Sequence, residues 1–302
     1  MNRPRTFLIF AMASVLTTVF VSGCHFKREA LGSAENPIKF HMVPSVDSKV
    51  LASNSKVLKD YLEKNTPYKF QITIPQSFVA VVEAFGTERA DMASINTYGY
   101  YMAHKAYGVE AHLTVIRNGL ATYQSQFLAR ADGKIKTLKD LQGKKMAFVD
   151  PASMSGYLVP MKTLRDKKIE PKAIVFAMNH DAVVTMIYQG QVDAGATYYS
   201  PPQDGHIEDA RRLVKLQYPD VEQKVKIIEL SDPIPNDPIV FRKDIPSEMK
   251  EKITDALLQF VATPEGRKAL DLMLGATNLK RSTDEDYDSV REMLKNMTPE
   301  KK

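Results

Sequence analysis

Apolar positions along the chain follow two alternating rhythms. Val50, Leu51, Val57, Leu58, Tyr61 and Leu62 recur at three- and four-residue spacing, which predicts an amphipathic helix over 49–64. Tyr68, Phe70, Ile72 and Ile74 occupy every second position, which predicts a strand. The exchange continues downstream. Strands are expected at 37–43, 91–95, 111–116, 123–130, 145–149, 173–178, 194–199, 225–230 and 239–242, those at 145–149 and 173–178 as buried ones. Helices are expected at 78–85, 97–107, 137–141, 156–166 and 182–189, with Thr137 and Asp140 spaced as a capping box. Three more, at 247–262, 264–274 and 284–296, close the chain. Strands alternating with helices in this way mark an α/β architecture.

The series divides into two α/β lobes. The expected partition places 37–122 and 237–302 in one lobe and 123–236 in the other, with crossings near 123–130 and 228–240. Three prolines stiffen the segment from Asp232 to Pro238, since each fixes its own φ and extends the residue before it. Two lobes on a two-strand hinge leave a cleft. Ligands favour such interfaces and the carboxyl ends of parallel strands.

Composition narrows the function classes. The 302 residues carry 41 Lys+Arg and 36 Asp+Glu, and the basic residues are scattered without the stripe that nucleic acid requires. The only cysteine is Cys24, which excludes a disulfide framework and a thiolate zinc site. It follows Arg3, Arg5 and an apolar run over 6–21, in the context Val21-Ser22-Gly23-Cys24, which resembles a bacterial lipobox. The expectation is a lipoprotein signal peptide over 1–23, lipidation at Cys24 and a tether over 24–36, which holds the body at a membrane surface outside the cytoplasm. An ordinary signal peptide with a cysteine nearby is the alternative.

Candidate chemistry lies where strands run into helices. After the 145–149 strand come Asp150-Pro151-Ala152-Ser153-Met154-Ser155-Gly156, and then a helix. The first N–H groups of a helix lack intrahelical partners and carry the positive end of its dipole, a geometry that binds oxyanions. Ser153 and Ser155 add hydroxyls and Gly156 allows close approach, although a serine in this place also reads as a plain N-cap. His180 follows the next strand and, if the two strands are parallel, shares an edge with Ser153. Read alone, it is more simply a structural cap or a surface residue. Asp237 sits in the proline-stiffened turn, where it reads either as an Asx turn or as an acceptor for the O–H that a phosphonate, phosphite or phosphate monoanion keeps and sulfate lacks. Tyr98 and Tyr123 are further candidate donors, or core residues. Enzyme motifs are absent: there is no G-x-S-x-G, H-E-x-x-H or G-x-x-x-x-G-K-[ST]. Ser155, His180 and Asp181 form a conceivable nucleophile set, but Asp181 adjoins the histidine it would have to orient.

Several stretches together resemble the substrate-binding lipoproteins of phosphonate/phosphite/phosphate ABC transporters. They include Leu138-Lys139-Asp140-Leu141-Gln142-Gly143-Lys144, Ser155-Gly156-Tyr157-Leu158-Val159-Pro160, Gly190-Gln191-Val192-Asp193-Ala194-Gly195-Ala196 and Ser231-Asp232-Pro233-Ile234-Pro235-Asn236-Asp237-Pro238. The resemblance implies a two-lobed type II periplasmic-binding fold that closes on its ligand, and a monomer that hands cargo to an ABC permease without metal or organic cofactor. It implies an anion loop at Ser153, Met154, Ser155 and Gly156, where relatives usually read Ser-Thr-Ser-Gly, with contributions from His180, Tyr123, Tyr98 and Asp237. Phe78 stands where many relatives have tyrosine. Ser200 stands near an acidic residue of relatives that hold an aminoalkyl group. A ligand-sensing protein for a different small molecule and a secreted hydrolase are the other readings.

Overall fold

The computed structural model describes residues 29–295, so the expected signal peptide and Cys24 lie outside the described residues. In chain order the elements are β1 (Ile38–Met42), α1 (Ser48–Asn65), β2 (Phe70–Thr73), α2 (Phe78–Gly86), β3 (Met92–Ser94), α3 (Thr97–Tyr107), β4 (Glu110–Ile116) and β5 (Thr122–Arg130). There follow β6 (Lys145–Phe148), α4 (Val159–Asp166), β7 (Ala173–Phe176), α5 (His180–Tyr188), β8 (Ala194–Tyr199), α6 (Val221–Lys224), β9 (Val225–Leu230) and β10 (Ile234–Pro235). The chain ends with β11 (Pro238–Phe241), α7 (Ser247–Ala262), α8 (Pro264–Leu274), β12 (Asn278–Arg281) and α9 (Asp288–Lys295).

Two six-stranded sheets organise these elements. The first runs β12-β4-β11-β3-β1-β2, with β1 parallel to β2 and β3, and β11 antiparallel to β3 and β4. The second runs β10-β5-β8-β6-β7, with β9 also on β5 and with β6 parallel to both β7 and β8. The apolar faces of α1, α7 and α8 cover one side of the first sheet, with Leu51, Leu58, Phe241 and Phe260 at the centre of that core. Packing of this kind, rather than intrinsic propensity, holds an amphipathic helix in place.

The chain passes between sheets twice. From β4 it turns through Asn118 and Gly119, both with positive φ, into β5. An Asn-Gly pair is the preferred sequence for a tight turn of this hand, because asparagine and glycine tolerate positive φ best. The return is the dipeptide Asn236-Asp237 between β10 and β11. Asn236 braces both passages: its side chain donates to Leu120 O at 2.8 Å and its backbone to Ala121 O at 3.0 Å.

Three details depart from the sequence expectations. The strand β7 is the edge of its sheet rather than a buried strand, with Ile174, Phe176 and the following Met178 about 40% exposed (39%, 38% and 46%). A local apolar run does not reveal whether a strand is central or at an edge. The region expected as a helix over 156–166 begins earlier, with a wide helical turn over Met154–Leu158 that runs into α4. The polar segment Asn278–Arg281 becomes a strand only because it pairs with β4.

Candidate functional site

Four segments leave the carboxyl ends of parallel strands and meet between the sheets. Ser45 follows β1, Asn96 follows β3, Ser153–Ser155 follow β6 and His180 follows β7. With Arg117, Tyr123 and Asp237 from the two passages they enclose a cavity of about 50 Å³, measured to the centres of water-sized spheres. One water needs roughly 10–15 Å³ on that measure, so the space suits a group of a few non-hydrogen atoms.

The turn after β6 is tightly built. Asp150 accepts from Ala152 N at 2.8 Å, and Ser153 Oγ accepts from Gly156 N at 3.1 Å. Ser153 therefore caps the turn, as a serine before a helix commonly does. The N–H groups of Met154 and Ser155 open the turn and have no acceptor within it. Gly156 lies behind the cavity wall, where a Cβ would sit 2.4 Å from Val149 Cγ2. Its role is to let the turn press against the end of the strand.

Tyr123 is 7% exposed and its ring lies 4.9 Å beneath the Arg117 guanidinium. Burial, and then the Asp237 carboxylate, push its phenol well above the ordinary value, so it remains a hydrogen-bond donor at every working pH. Asp237 Oδ2 accepts from Arg117 Nη2 at 2.9 Å, whereas Oδ1 has only a long contact of 3.4 Å from Thr97 Oγ1. One carboxylate oxygen therefore keeps spare acceptor capacity. Tyr98 does not line the cavity; it is half-buried beside Tyr101, and Asn96 from the same segment lines the wall instead. Ser200 is buried outside the cavity wall, and Phe78 lines it.

His180 lines the cavity with its ring edge-on to Tyr198, 4.9 Å between centroids. Its Nδ1 is buried without a hydrogen-bond partner among the described residues. Burial, and then the Arg117 charge, lower its pKa to about 3, so the ring is neutral near pH 7. A depressed histidine binds fewer protons folded than unfolded. Its contribution is therefore complete above the ordinary value of about 6.5 and is lost as pH falls from there toward 3. In the ligand-free protein, lowering pH from 7 to 5 is expected to cost wild type roughly 2 kcal/mol more stability than His180→Gln, a melting-temperature gap of several degrees. Calorimetric melts of both proteins at the two pH values check this, and equal losses would show that His180 is already solvated.

Two arginines escaped the sequence reading. Arg117, 8% exposed, donates to Asn236 Oδ1 at 2.8 Å, Asp237 Oδ2 at 2.9 Å and Leu274 O at 3.1 Å. Arg212 sits in a short 3-10 turn of the second lobe (Ala210–Val214) and also lines the cavity. The Asn118-Gly119 pair was the available signal for Arg117, since it places the preceding residue at a chain reversal; nothing local points to Arg212. Contacts also join the lobes across the cavity: Asn96 Nδ2 donates to Ala152 O at 2.8 Å and His180 N donates to Ser45 O at 3.2 Å.

Comparison with known proteins adds a lineage to this geometry. A family described as the periplasmic substrate-binding protein of phosphonate ABC transporters matches residues 40–287. The phosphate-import protein PhnD of Mycolicibacterium smegmatis is 33% identical over 174 residues, 52% of this chain and 53% of that protein. The chain thus spans about half the length of that relative. The phosphonates-binding periplasmic protein of Escherichia coli is 25% identical over 240 residues, 77% of this chain and 68% of that protein. Among solved structures, a binding-protein component of an ABC phosphonate transporter from Pseudomonas aeruginosa superposes with TM-score 0.74 at 22% identity, covering 86% of this chain and 87% of that one. PhnD1 of Prochlorococcus marinus in complex with methylphosphonate gives 0.72 at 17% identity, covering 86% and 97%. At these identities the likeness to the solved structures is one of fold, the two-lobed type II periplasmic-binding fold.

Proposed function

Because the chain belongs to the family of phosphonate ABC-transporter periplasmic substrate-binding proteins, we propose that it captures a small phosphorus oxyanion between its lobes and presents it to an ABC permease. The observation that carries the reading is the mixed lining of the cavity. It holds donors and a half-free carboxylate, from Ser155, His180, Tyr123 and Asp237, together with apolar residues such as Val43, Val46, Phe78, Met154 and Met273. The polar groups suit a tetrahedral oxyanion head, and the apolar ones suit a small substituent such as a methyl or hydrogen. Met154 and Phe78 contribute apolar area at positions where the family resemblance implies hydroxyls, which supports a ligand with an apolar substituent. Ser200 offers no carboxylate for an ammonium, which supports ligands without one.

The site residues on this reading are Ser153, Met154, Ser155, Tyr123, His180 and Asp237, with Gly156 as packing and Tyr98 outside. Ligand contacts available only with the lobes together shift the hinge toward closure, and the closed form is what the permease recognises. Among the described residues no helix is long and apolar enough to cross a membrane. On the proposed reading the protein works as a monomer in the cell envelope, held by lipid on Cys24. The hydrolase reading is disfavoured because His180 Nδ1 and Asp181 Oδ1 are each buried without a hydrogen-bond partner among the described residues, where no carboxylate orients the histidine as a base.

Calorimetry with phosphite, phosphate, methylphosphonate and sulfate tests the proposal. At least one phosphorus ligand is expected to bind at micromolar or tighter affinity. Sulfate is expected at least about 100-fold weaker, because it has no proton for Asp237 Oδ1 and leaves two acceptors facing each other. Equal sulfate affinity would remove Asp237 from the recognition step.

A further inference from the structure

The second cation of the cavity does more than line it. Arg212 comes from the second lobe, yet its terminal nitrogens grip the first. Nη1 lies 3.2 Å from Asp271 Oδ2, Nη2 lies 3.1 Å from Oδ1, and Nη2 also donates to the Asp271 carbonyl at 2.9 Å. Asp271 belongs to the last turn of α8, where unpaired carbonyls and the helix dipole favour a cation. Arg117 reaches the same helix end through Leu274 O. A Cβ on Gly275 would stand 3.6 Å from both Arg117 Nε and Arg212 Nη2, so the two cationic heads converge on one corner of the cavity.

On its own lobe Arg212 also has Tyr198, which hydrogen-bonds its side chain, and Glu208 Oε2 at 3.8 Å from Nη1, yet one donor is unspent. Its Nε is buried and finds no acceptor among the described residues, although the side chain is only 17% exposed and lines the cavity. A buried donor on a charged group without an acceptor is costly, and an oxyanion in the cavity would supply one. The geometry points to Arg212 as a residue that reads the ligand and fastens the lobes at once: Nε donates to the bound oxyanion while Nη1 and Nη2 hold Asp271 across the cleft. This rests on the oxyanion reading of the cavity and adds to it a direct ligand contact outside the loops that resemble the family. Binding energy and closure then pass through a single planar group whose two functions share one orientation.

The two functions separate by substitution. Asp271→Asn loosens the fastening but leaves Nε, and is expected to weaken methylphosphonate or phosphate binding about 10-fold. Arg212→Gln removes both, and is expected to weaken it roughly 100-fold or more. Calorimetry on the full chain measures both, with circular dichroism to establish folding. If R212Q does not fold, R212K serves instead. It keeps a cation for Asp271 but loses the separate Nε–H, and is expected to bind more weakly than D271N. Arginine variants that bind as well as D271N, with wild type binding normally, would overturn the ligand contact and leave only a fastening. Wild type that binds none of phosphite, phosphate, methylphosphonate or sulfate would overturn the oxyanion reading itself, and this inference with it.

Discussion

Arg117→Met is expected to destabilise the protein by about 3–5 kcal/mol and to weaken oxyanion binding at least about 100-fold. The pair that Arg117 forms with Asp237 is largely withdrawn from water, the two side chains being 10% and 19% exposed. Removing one partner of such a pair strands the other charge, and that stranded charge, rather than the lost attraction, is the main cost. Methionine preserves much of the side-chain length but gives up the bonds to Asn236, Asp237 and Leu274 and the contact with the Tyr123 ring. Adding Asp237→Asn to the variant removes the stranded charge and is expected to restore about half of the stability without restoring binding. Urea unfolding of both single variants and the double gives the coupling directly. A loss below about 1 kcal/mol in R117M would mean that the pair is screened by solvent as a surface bridge is.

Ser155→Phe is the second large effect, and it falls on binding. Ser155 lines the cavity and is 3% exposed, and its carbonyl accepts from Ser125 Oγ at 2.6 Å. A phenyl ring on this residue enters the space of about 50 Å³ that the ligand needs. Binding of every phosphorus ligand is expected to fall below calorimetric detection. The cost to folding is the roughly 1–3 kcal/mol of an overfilled site, because the backbone bond to Ser125 does not depend on the side chain. Retained affinity in S155F would move the site out of this cavity.

The fold was legible where periodicity and packing agree. Helices such as α3, α7 and α8 fall where apolar spacing puts them, because one face of each is buried in a core. What escaped depends on partners distant in sequence. The strand β12 has no period that marks it before β4 pairs with it, and β7 reads as buried until the sheet order places it at the edge. The candidate site divides in the same way. Ser153, Ser155 and His180 were visible because strand-to-helix turns announce themselves locally, and β6 and β7 are parallel neighbours. Arg117 and Arg212 were not, since the residues that define them, Asp237 and Asp271, are 120 and 59 positions away. An isolated arginine in a sequence carries no sign that it will be buried. Tyr98 was misplaced for a related reason: a helix start fixes which residues are near a cleft, but only the packed rotation of the helix decides which one faces it.

The two arginines have different loyalties. Arg117 is tied to Asn236, Asp237 and Leu274, whose elements belong to the first sheet or its passage, whereas the Asp271 partner of Arg212 lies across the cleft. Swinging the jaws apart would break the second set and spare the first. On the proposed reading, an open form would keep the Arg117 set as a ready half-socket, and that half would govern the speed of capture. Dwell time would then belong to the other half, and substitutions at positions 212 and 271 are expected to change the release rate more than the rate of capture.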